Sequence, residues 1–453
     1  MEPFRYHVYI CDQHKPEGIP SCPAHGSKQV IEALRKEIAV KGLADEVQVT
    51  TCGSIGLCEW GPNMVVYPEG TWYTGLRPED IPEIVSEHFQ NGKPVERLIV
   101  TDKEKAKSEI QTNKGKMMTA MKARDQAGLL PQDFLDRVRA FQESRILLTA
   151  VELDLFTVVG SGATADQVAQ KLHTDTRATE MLLNALVALD TLTKQDNTYH
   201  NTPLTSRFLT EGSPDNSRWS LMHSVSLWRR WSTLTDCIRE GTSVTHEEAS
   251  KRGDEWTKAF ISAMDKNATL RAGQVAAAVG AQGVKRLLDV GGGSGAYSIA
   301  FARANADLRA EIFDLPSVIP LSAEYIKEAG FGDRIKVRPG DLRTDKFDNG
   351  YDLVFISAIC HMNSPEQNVE LLKKSFDALN PGGRVVIQDF ILDADKTSPR
   401  TAAMFSLNML VGTRAGASYS EPEYNAWLNE AGFKDVRRIR LMGPTALIVA
   451  KRP

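Results

Sequence analysis

The chain lacks any apolar run approaching the roughly 18 residues that a membrane helix requires, so no membrane span is expected. It also lacks a strong charge of either sign. The formal net charge is −4 at pH 7, which leaves no polyanion-binding footprint and makes nucleic acid an unexpected partner. The opening Met1-Glu2-Pro3-Phe4-Arg5-Tyr6 has no basic segment leading into an apolar one. No secretory signal is read there, and a cytoplasmic location is expected. Internal repeats and low-complexity tracts are missing as well. Cysteine is scarce, with 6 in 453 residues, yet four of them fall in the first 60: Cys11, Cys22, Cys52 and Cys58. The remainder of the chain holds only Cys237 and Cys360. In the cytosol, clustered cysteines bind metal or do redox chemistry more often than they form disulfides.

The 42% apolar and 25% charged content is that of a soluble globular protein, and 453 residues imply two to four domains. Residues 6–11 alternate like a strand, 27–41 carry apolar side chains at helical spacing, and 46–52 read as a second strand. Residues 64–67 and 71–74 read as a hairpin around Pro-Glu-Gly, and a short helix begins at Pro82. The order β-α-β-β-β-α is a compact α/β module. Residues 101–125 are rich in Lys, Glu, Asp and Gln, which suggests a solvated linker or exposed helix. From about 131 to 260 the pattern is mostly helical, with two helices and a short β-wing over 163–202. From about 284, strands at 286–290, 309–313, 335–338, 352–357 and 384–388 alternate with helices, the pattern of a doubly wound parallel sheet.

Four thiolates close a tetrahedral zinc site or a two-iron cluster. The spacing C-x10-C-x29-C-x5-C contains none of the short C-x2-C knuckles of a zinc ribbon. The stretches His7-Val-Tyr-Ile-Cys11, Ser21-Cys22-Pro-Ala-His-Gly-Ser27, Leu57 to Gly70, Trp72-Tyr73 and Pro78-Glu-Asp80 resemble the thioredoxin-like 2Fe–2S ferredoxins over residues 5–98. The resemblance implies a 2Fe–2S cluster on Cys11, Cys22, Cys52 and Cys58, and an electron-transfer partner. One departure stands out. The family carries C-x3-C before the Gly-Pro pair, which would put a cysteine at 54, and this chain has Ser54. Cys52 serves as the ligand if the glycines at 53 and 56 let the loop fold back. Otherwise the site has three thiolates, with or without the Ser54 oxygen, or no stable cluster forms.

Leu287-Leu-Asp289-Val-Gly291-Gly-Gly293-Ser-Gly295 follows a predicted strand and precedes a helix, a turn whose glycines let a ligand approach the helix N-terminus. Dinucleotide folds use the same device. Two later acidic residues discriminate: Asp314 ends the next strand, placed for ribose hydroxyls, and Asp341-Leu342 ends a third, placed to read an adenine. That combination favours S-adenosylmethionine over NAD. Asp289 to Gly295, Asp314-Leu315-Pro316, Gly340-Asp341, Ile359-Cys-His361, Leu379-Asn-Pro-Gly-Gly383 and Glu423 to Phe433 are similar, in order and spacing, to class I O-methyltransferases of the caffeate and acetylserotonin type. The resemblance covers 131–453. It implies a winged-helix-like dimerisation domain, a homodimer and a Rossmann-like catalytic domain. It also implies that His361 is the catalytic base, with Asp389 and Glu423 as orienting carboxylates. A histidine can take a proton from a phenol or enol at neutral pH. The alternative for His361 is a packing residue at a strand end. The family has an acidic residue after the histidine, and this chain has Met362. Met264, Trp228, Trp231, Phe260 and Met404 either line an acceptor pocket or belong to an apolar core.

The expected protein is therefore multi-domain α/β: a thioredoxin-like ferredoxin module (1–100), a linker (101–130), a helical winged-helix dimerisation domain (131–260) and a Rossmann-like methyltransferase domain (261–453). The expected activity is methyl transfer to a small aromatic or quinol-like acceptor. A cluster-based electron-transfer or redox-sensing protein without turnover is the alternative. A winged-helix regulator is a third reading, and the mixed charge of 163–200 speaks against it.

Overall fold

The computed structural model describes residues 3–15, 19–126, 128–246 and 254–453. Met1 and Glu2, Ala127 of the expected linker, and 247–253 of the expected dimerisation domain lie outside them. The chain forms two compact units, Met1–Phe141 and Gln142–Pro453.

In the first unit, β1 (Tyr6–Cys11), β2 (Val47–Cys52), β3 (Met64–Tyr67) and β4 (Thr71–Tyr73) form one sheet in the order β2-β1-β3-β4. β1 runs parallel to β2 and antiparallel to β3, and β3 runs antiparallel to β4. Strand alternation explains the core: Tyr6, Val8 and Ile10 are buried with Val30, Ile31, Leu34 and Ile38 of the helix Ser27–Val40. His7 and Tyr9 point to the other face. With Tyr67, Trp72 and Cys52 they line an open groove of about 800 Å³. The helical segment after β4 begins at Ile81 and ends at Gln90, so the order β-α-β-β-β-α is the one found.

The expected linker is largely one helix, Lys103–Gln126. It packs within the first unit. Asn113 Nδ2 donates to the Gly56 carbonyl at 2.8 Å, Lys105 lies over the Trp60 ring, and a Cβ on Gly56 would stand 2.9 Å from Ile110 Cγ1. A segment polar on nearly every face still folds here because a few contacts anchor it to the cysteine-bearing loop.

The second unit starts with short helices and a three-stranded sheet, β5 (Ala163–Thr164), β6 (Leu192–Gln195) and β7 (Thr198–Asn201), in the order β5-β7-β6. Thr164 and Gln167 form a capping box that starts the helix Ala165–Leu172, and Asp175 caps Thr176–Ala188. The expected domain boundary at 260/261 falls inside a single helix, Asp254–Val279. Its last turns bury Ala272, Val275, Ala276 and Val279 against the large sheet, so the helix belongs to both regions.

That sheet has seven strands: β8 (Arg286–Val290), β9 (Arg309–Asp314), β10 (Ile335–Pro339), β11 (Tyr351–Ser357), β12 (Leu379–Asp389), β13 (Lys434–Arg440) and β14 (Ala446–Lys451). The order is β10-β9-β8-β11-β12-β14-β13. The first five strands are mutually parallel, and β14 is antiparallel to both β12 and β13. The chain reverses direction across the sheet between β8 and β11. A doubly wound sheet opens a crevice at such a switch point, outside the strands' carboxyl ends.

Candidate active site

Each parallel strand delivers one expected site residue to that carboxyl edge. β8 ends in the glycine turn, β9 in Asp314, β10 just before Asp341, β11 just before His361, and β12 in Asp389. Gly291, Gly293 and Gly295 have φ of +68°, +57° and +80°, a region that disfavours other residues. A Cβ on Gly293 would meet nothing closer than 3.8 Å, so its side-chain space is open to a ligand. A Cβ on Gly292 would strike the Asp289 carboxylate at 2.7 Å. Asp289 is fully buried. Ser298 Oγ donates to its Oδ2 at 2.7 Å, while Oδ1 has no hydrogen-bond partner. Burial pushes its pKa up to about 7, opposed by the Ser298 hydrogen bond.

Asp314 takes one backbone N–H on each oxygen, Gly293 on Oδ2 at 2.9 Å and Leu315 on Oδ1 at 2.7 Å. A carboxylate accepts about four hydrogen bonds, so both oxygens keep capacity for hydroxyl groups. Burial raises the Asp314 pKa against those two bonds. Asp341 is less free: Arg343 bonds both of its oxygens and holds its carboxyl below the usual range. Leu315 and Leu342 are partly exposed.

His361 Nδ1 lies 2.6 Å from Asp389 Oδ1, and the His361 backbone N–H donates to Oδ2 at 3.1 Å. Phe390 N–H and the Tyr424 hydroxyl also donate to this carboxylate. With Asp389 at 1% and His361 at 6% exposure, the pair is fixed in a dry setting. Nε2 of His361 makes no hydrogen bond among the described residues. The ring meets Phe405 edge-on at 4.9 Å, and Phe405 stacks on Phe390 at 3.9 Å. Met362, where the resembled family carries an acidic residue, is 44% exposed, and Asp389 is the carboxylate in contact with the imidazole.

Glu423 corrects the sequence reading. Its Oε2 accepts the Ser420 N–H and hydroxyl in a capping box, and Oε1 pairs with Lys396 at 2.7 Å. Both oxygens are occupied at a helix start, and the neighbouring Tyr424 reaches Asp389 instead. Phe390, Phe405 and Tyr424 were not anticipated. Trp231 Nε1 donates to Asn408 on the helix Arg400–Gly412, which also carries Met404 and Phe405. Trp228, Phe260 and Met264 are partly buried and Met404 is 48% exposed, so none is sealed in a core.

The four cysteines expected as a metal set are not gathered as one. Among the described residues, no three His, Cys, Asp or Glu side chains form a group that could hold a metal ion. Donors come together as pairs. The Cys11 and Cys22 sulfurs are within hydrogen-bond reach of each other, and the Cys11 sulfur also accepts the Gln13 and Ile55 backbone N–H groups. These bonds pull the Cys11 pKa down to about 6, while the shared proton and burial push Cys22 up. Cys58 Sγ lies 3.1 Å from Ser54 Oγ and 2.7 Å from Lys15 Nζ. Cys52 ends β2 in ladder register with Cys11, and its side chain lines the open groove. The strand holds Cys52 in the sheet, and the turn through Gly56, at φ +94°, brings Ser54 to Cys58.

Residues 231–434 match a family profile described as an O-methyltransferase domain, and 135–211 match the O-methyltransferase dimerisation domain. A 3-hydroxy-5-methyl-1-naphthoate 3-O-methyltransferase of Streptomyces sahachiroi is 34% identical over 327 residues, 70% of this chain and 93% of that protein. The chain belongs to this O-methyltransferase family. The methyltransferase is also 31% identical over 330 residues to the tetracenomycin polyketide synthesis 8-O-methyl transferase of Streptomyces glaucescens, covering 71% and 97% of the two chains. The solved structure of PigF with SAH, a methyl transferase known from a Serratia strain, superposes with a TM-score of 0.65 at 29% identity, covering 72% and 100%. The protein is thus an S-adenosylmethionine-dependent methyltransferase with a dimerisation domain. Neither profile reaches residues 1–134. No helix among the described residues is long and apolar enough to cross a membrane.

Proposed function

We propose that the enzyme methylates a hydroxyl of a small aromatic or quinol-like acceptor, with His361 as general base. The observation that carries this is the His361–Asp389 pair at 2.6 Å, with Nε2 left free and aromatic rings beside it. Bound at the glycine turn, S-adenosylmethionine supplies an electrophilic methyl group. Gly291 and Gly293 give it close approach to the backbone, and the spare lone pairs of Asp314 hold its ribose hydroxyls. Leu315 and Leu342 would flank its adenine, and Asp341, shared with Arg343, would read the adenine edge. The Asp314 carboxylate beside the glycine turn suits a sulfonium cation better than the phosphates of NAD. His361 Nε2 takes the acceptor proton as the oxygen attacks the methyl carbon; the new O–C bond replaces the C–S bond, and S-adenosylhomocysteine would leave as the neutral thioether. Asp389 fixes the imidazole's orientation and stabilises it once protonated. Phe390 and Phe405 exclude water and favour a flat apolar acceptor. The naphthoate and tetracenomycin relatives, named for aromatic and polyketide acceptors, support that class.

The same reading makes the enzyme a homodimer through the dimerisation region, where Phe134, Val138 and Phe141 are 50–57% exposed. It gives residues 1–100 the role of a thioredoxin-like 2Fe–2S module served by an electron-transfer partner. The donor chemistry fits a two-iron cluster in one respect: each iron takes two protein ligands, and the loops offer donors in pairs. The test is transfer from methyl-labelled S-adenosylmethionine to a panel of phenols and hydroquinones. Labelled methyl ethers are expected. Methylation on nitrogen, sulfur or carbon alone would refute the hydroxyl reading.

A further inference from the structure

The expected ligand set took the fourth thiol, Cys52, as the substitute for a cysteine missing at position 54. The loop geometry argues otherwise. Ser54 Oγ lies 3.1 Å from Cys58 Sγ and accepts the Gly56 N–H at 3.3 Å. The Ser54 N–H donates to Gln13 Oε1 at 2.6 Å, and the Gln13 backbone N–H bonds the Cys11 sulfur. The loop carrying Ser54 and Cys58 is therefore tied to the loop carrying Cys11. Asn63 Nδ2 bridges Cys22 Sγ at 3.4 Å and the Leu57 carbonyl at 2.5 Å, so the two pairs are also joined at their other ends. A Cβ on Gly61 would stand 2.9 Å from Cys22 Sγ, so that close approach requires glycine. Cys52 makes none of these hydrogen bonds. Cys52 and Ser54 both line the open groove with His7, Tyr9 and Trp72, so it is the hydrogen bonds that separate them.

We infer that Ser54, and not Cys52, completes the ligand set, with Cys11 and Cys22 on one iron and Ser54 and Cys58 on the other. This rests on reading residues 1–100 as a 2Fe–2S module. Lys15 Nζ, 2.7 Å from Cys58 Sγ, offsets the negative charge of the mixed oxygen–sulfur pair. Cys52 is left as a free thiol.

The test is anaerobic reconstitution of the full chain with iron and sulfide. Iron, labile sulfide, visible absorption and the electron-spin resonance of the reduced protein are measured. Wild type and Cys52→Ser should carry equal iron and sulfide with superimposable spectra. Ser54→Ala should lose at least half of both. Ser54→Cys should keep them with shifted absorption bands, since a thiolate replaces an oxygen ligand. A Cys52→Ser variant that loses its cluster while Ser54→Ala keeps it would overturn the assignment. So would a Ser54→Cys spectrum identical to wild type, a readout that holds even if Ser54→Ala folds poorly. A wild-type chain that takes up no labile sulfide would refute the ferredoxin reading itself, and that result is distinct from either.

Discussion

The His361–Asp389 pair and the cysteine pairs both stand at strand ends, but different forces hold them. Asp389 is buried at the end of β12 and receives hydrogen bonds from two backbone N–H groups and a tyrosine hydroxyl besides facing the imidazole. Its position beside His361 is set by sheet register, with Ile356 opposite Ile387 and Ser357 opposite Gln388. The cysteine pairs depend on loop closure. Gln13, Asn63, a left-handed Gly56 and the helix Lys103–Gln126 hold the turns that carry Ser54 and Cys58. A site built on register should lose chemistry when its own side chains change and keep its shape. A site built on loop closure should be damaged by changes in residues that touch no ligand.

The largest effect expected on the register-built side is His361→Ala, a fall in turnover of about 10²–10⁴-fold with S-adenosylhomocysteine affinity by calorimetry unchanged. Asp389→Asn should give a smaller fall, because the ring keeps its place but loses its charged partner. A loss of cofactor affinity in either variant would blur the contrast.

Next comes a pH effect on stability at Asp289. Its carboxyl is pushed up to about 7 in the fold and ionises near about 4 in the unfolded chain. The unfolded state therefore gives up its proton first. The cofactor-free protein loses stability through this group as pH rises from about 4 to about 7, and the loss levels off above that. Denaturant melts should show Asp289→Asn gaining on wild type by about 2–4 kcal/mol across that window. A constant difference would contradict the assignment.

On the loop-built side, Gly56→Ala forces a φ of +94° on alanine and drives its Cβ toward Ile110. The strain of about 1–3 kcal/mol should lower iron retention and leave methyl transfer unchanged. Adding Ile110→Ala should restore part of the retention. The smallest effect belongs to Glu423→Gln: a loss of about 0.3–1.5 kcal/mol of stability from the weakened cap, with turnover intact.

Much of this was legible in the chain. Alternation and apolar runs located β8 to β12, and an acidic or imidazole group at or just beyond the end of each strand gave the candidate site that the fold gathers along one sheet edge. The β13–β14 hairpin was missed. Ala446 to Ala450 form a continuous buried run, which periodicity alone cannot separate from a buried helix, and Lys434–Arg440 carries charges that mask its alternation. Glu423 was misread although Ser420-Glu-Pro-Glu423 is a capping-box signature. The helix Lys103–Gln126 was invisible as a packed element because its footing rests on contacts such as those of Ile110 and Asn113. Cys52 was chosen for its chemistry, whereas strand register and a glycine turn decide which donor meets Cys58.

The central claim is that His361 removes the acceptor's proton. It is tested most directly by comparing wild type with His361→Ala on two phenols of similar shape, one neutral and one already ionised at the assay pH. The account predicts a loss of about 10²–10⁴-fold with the neutral phenol, shrinking to about tenfold or less with the ionised one. An equal loss with both would show that His361 positions the acceptor without taking its proton, and would contradict the account.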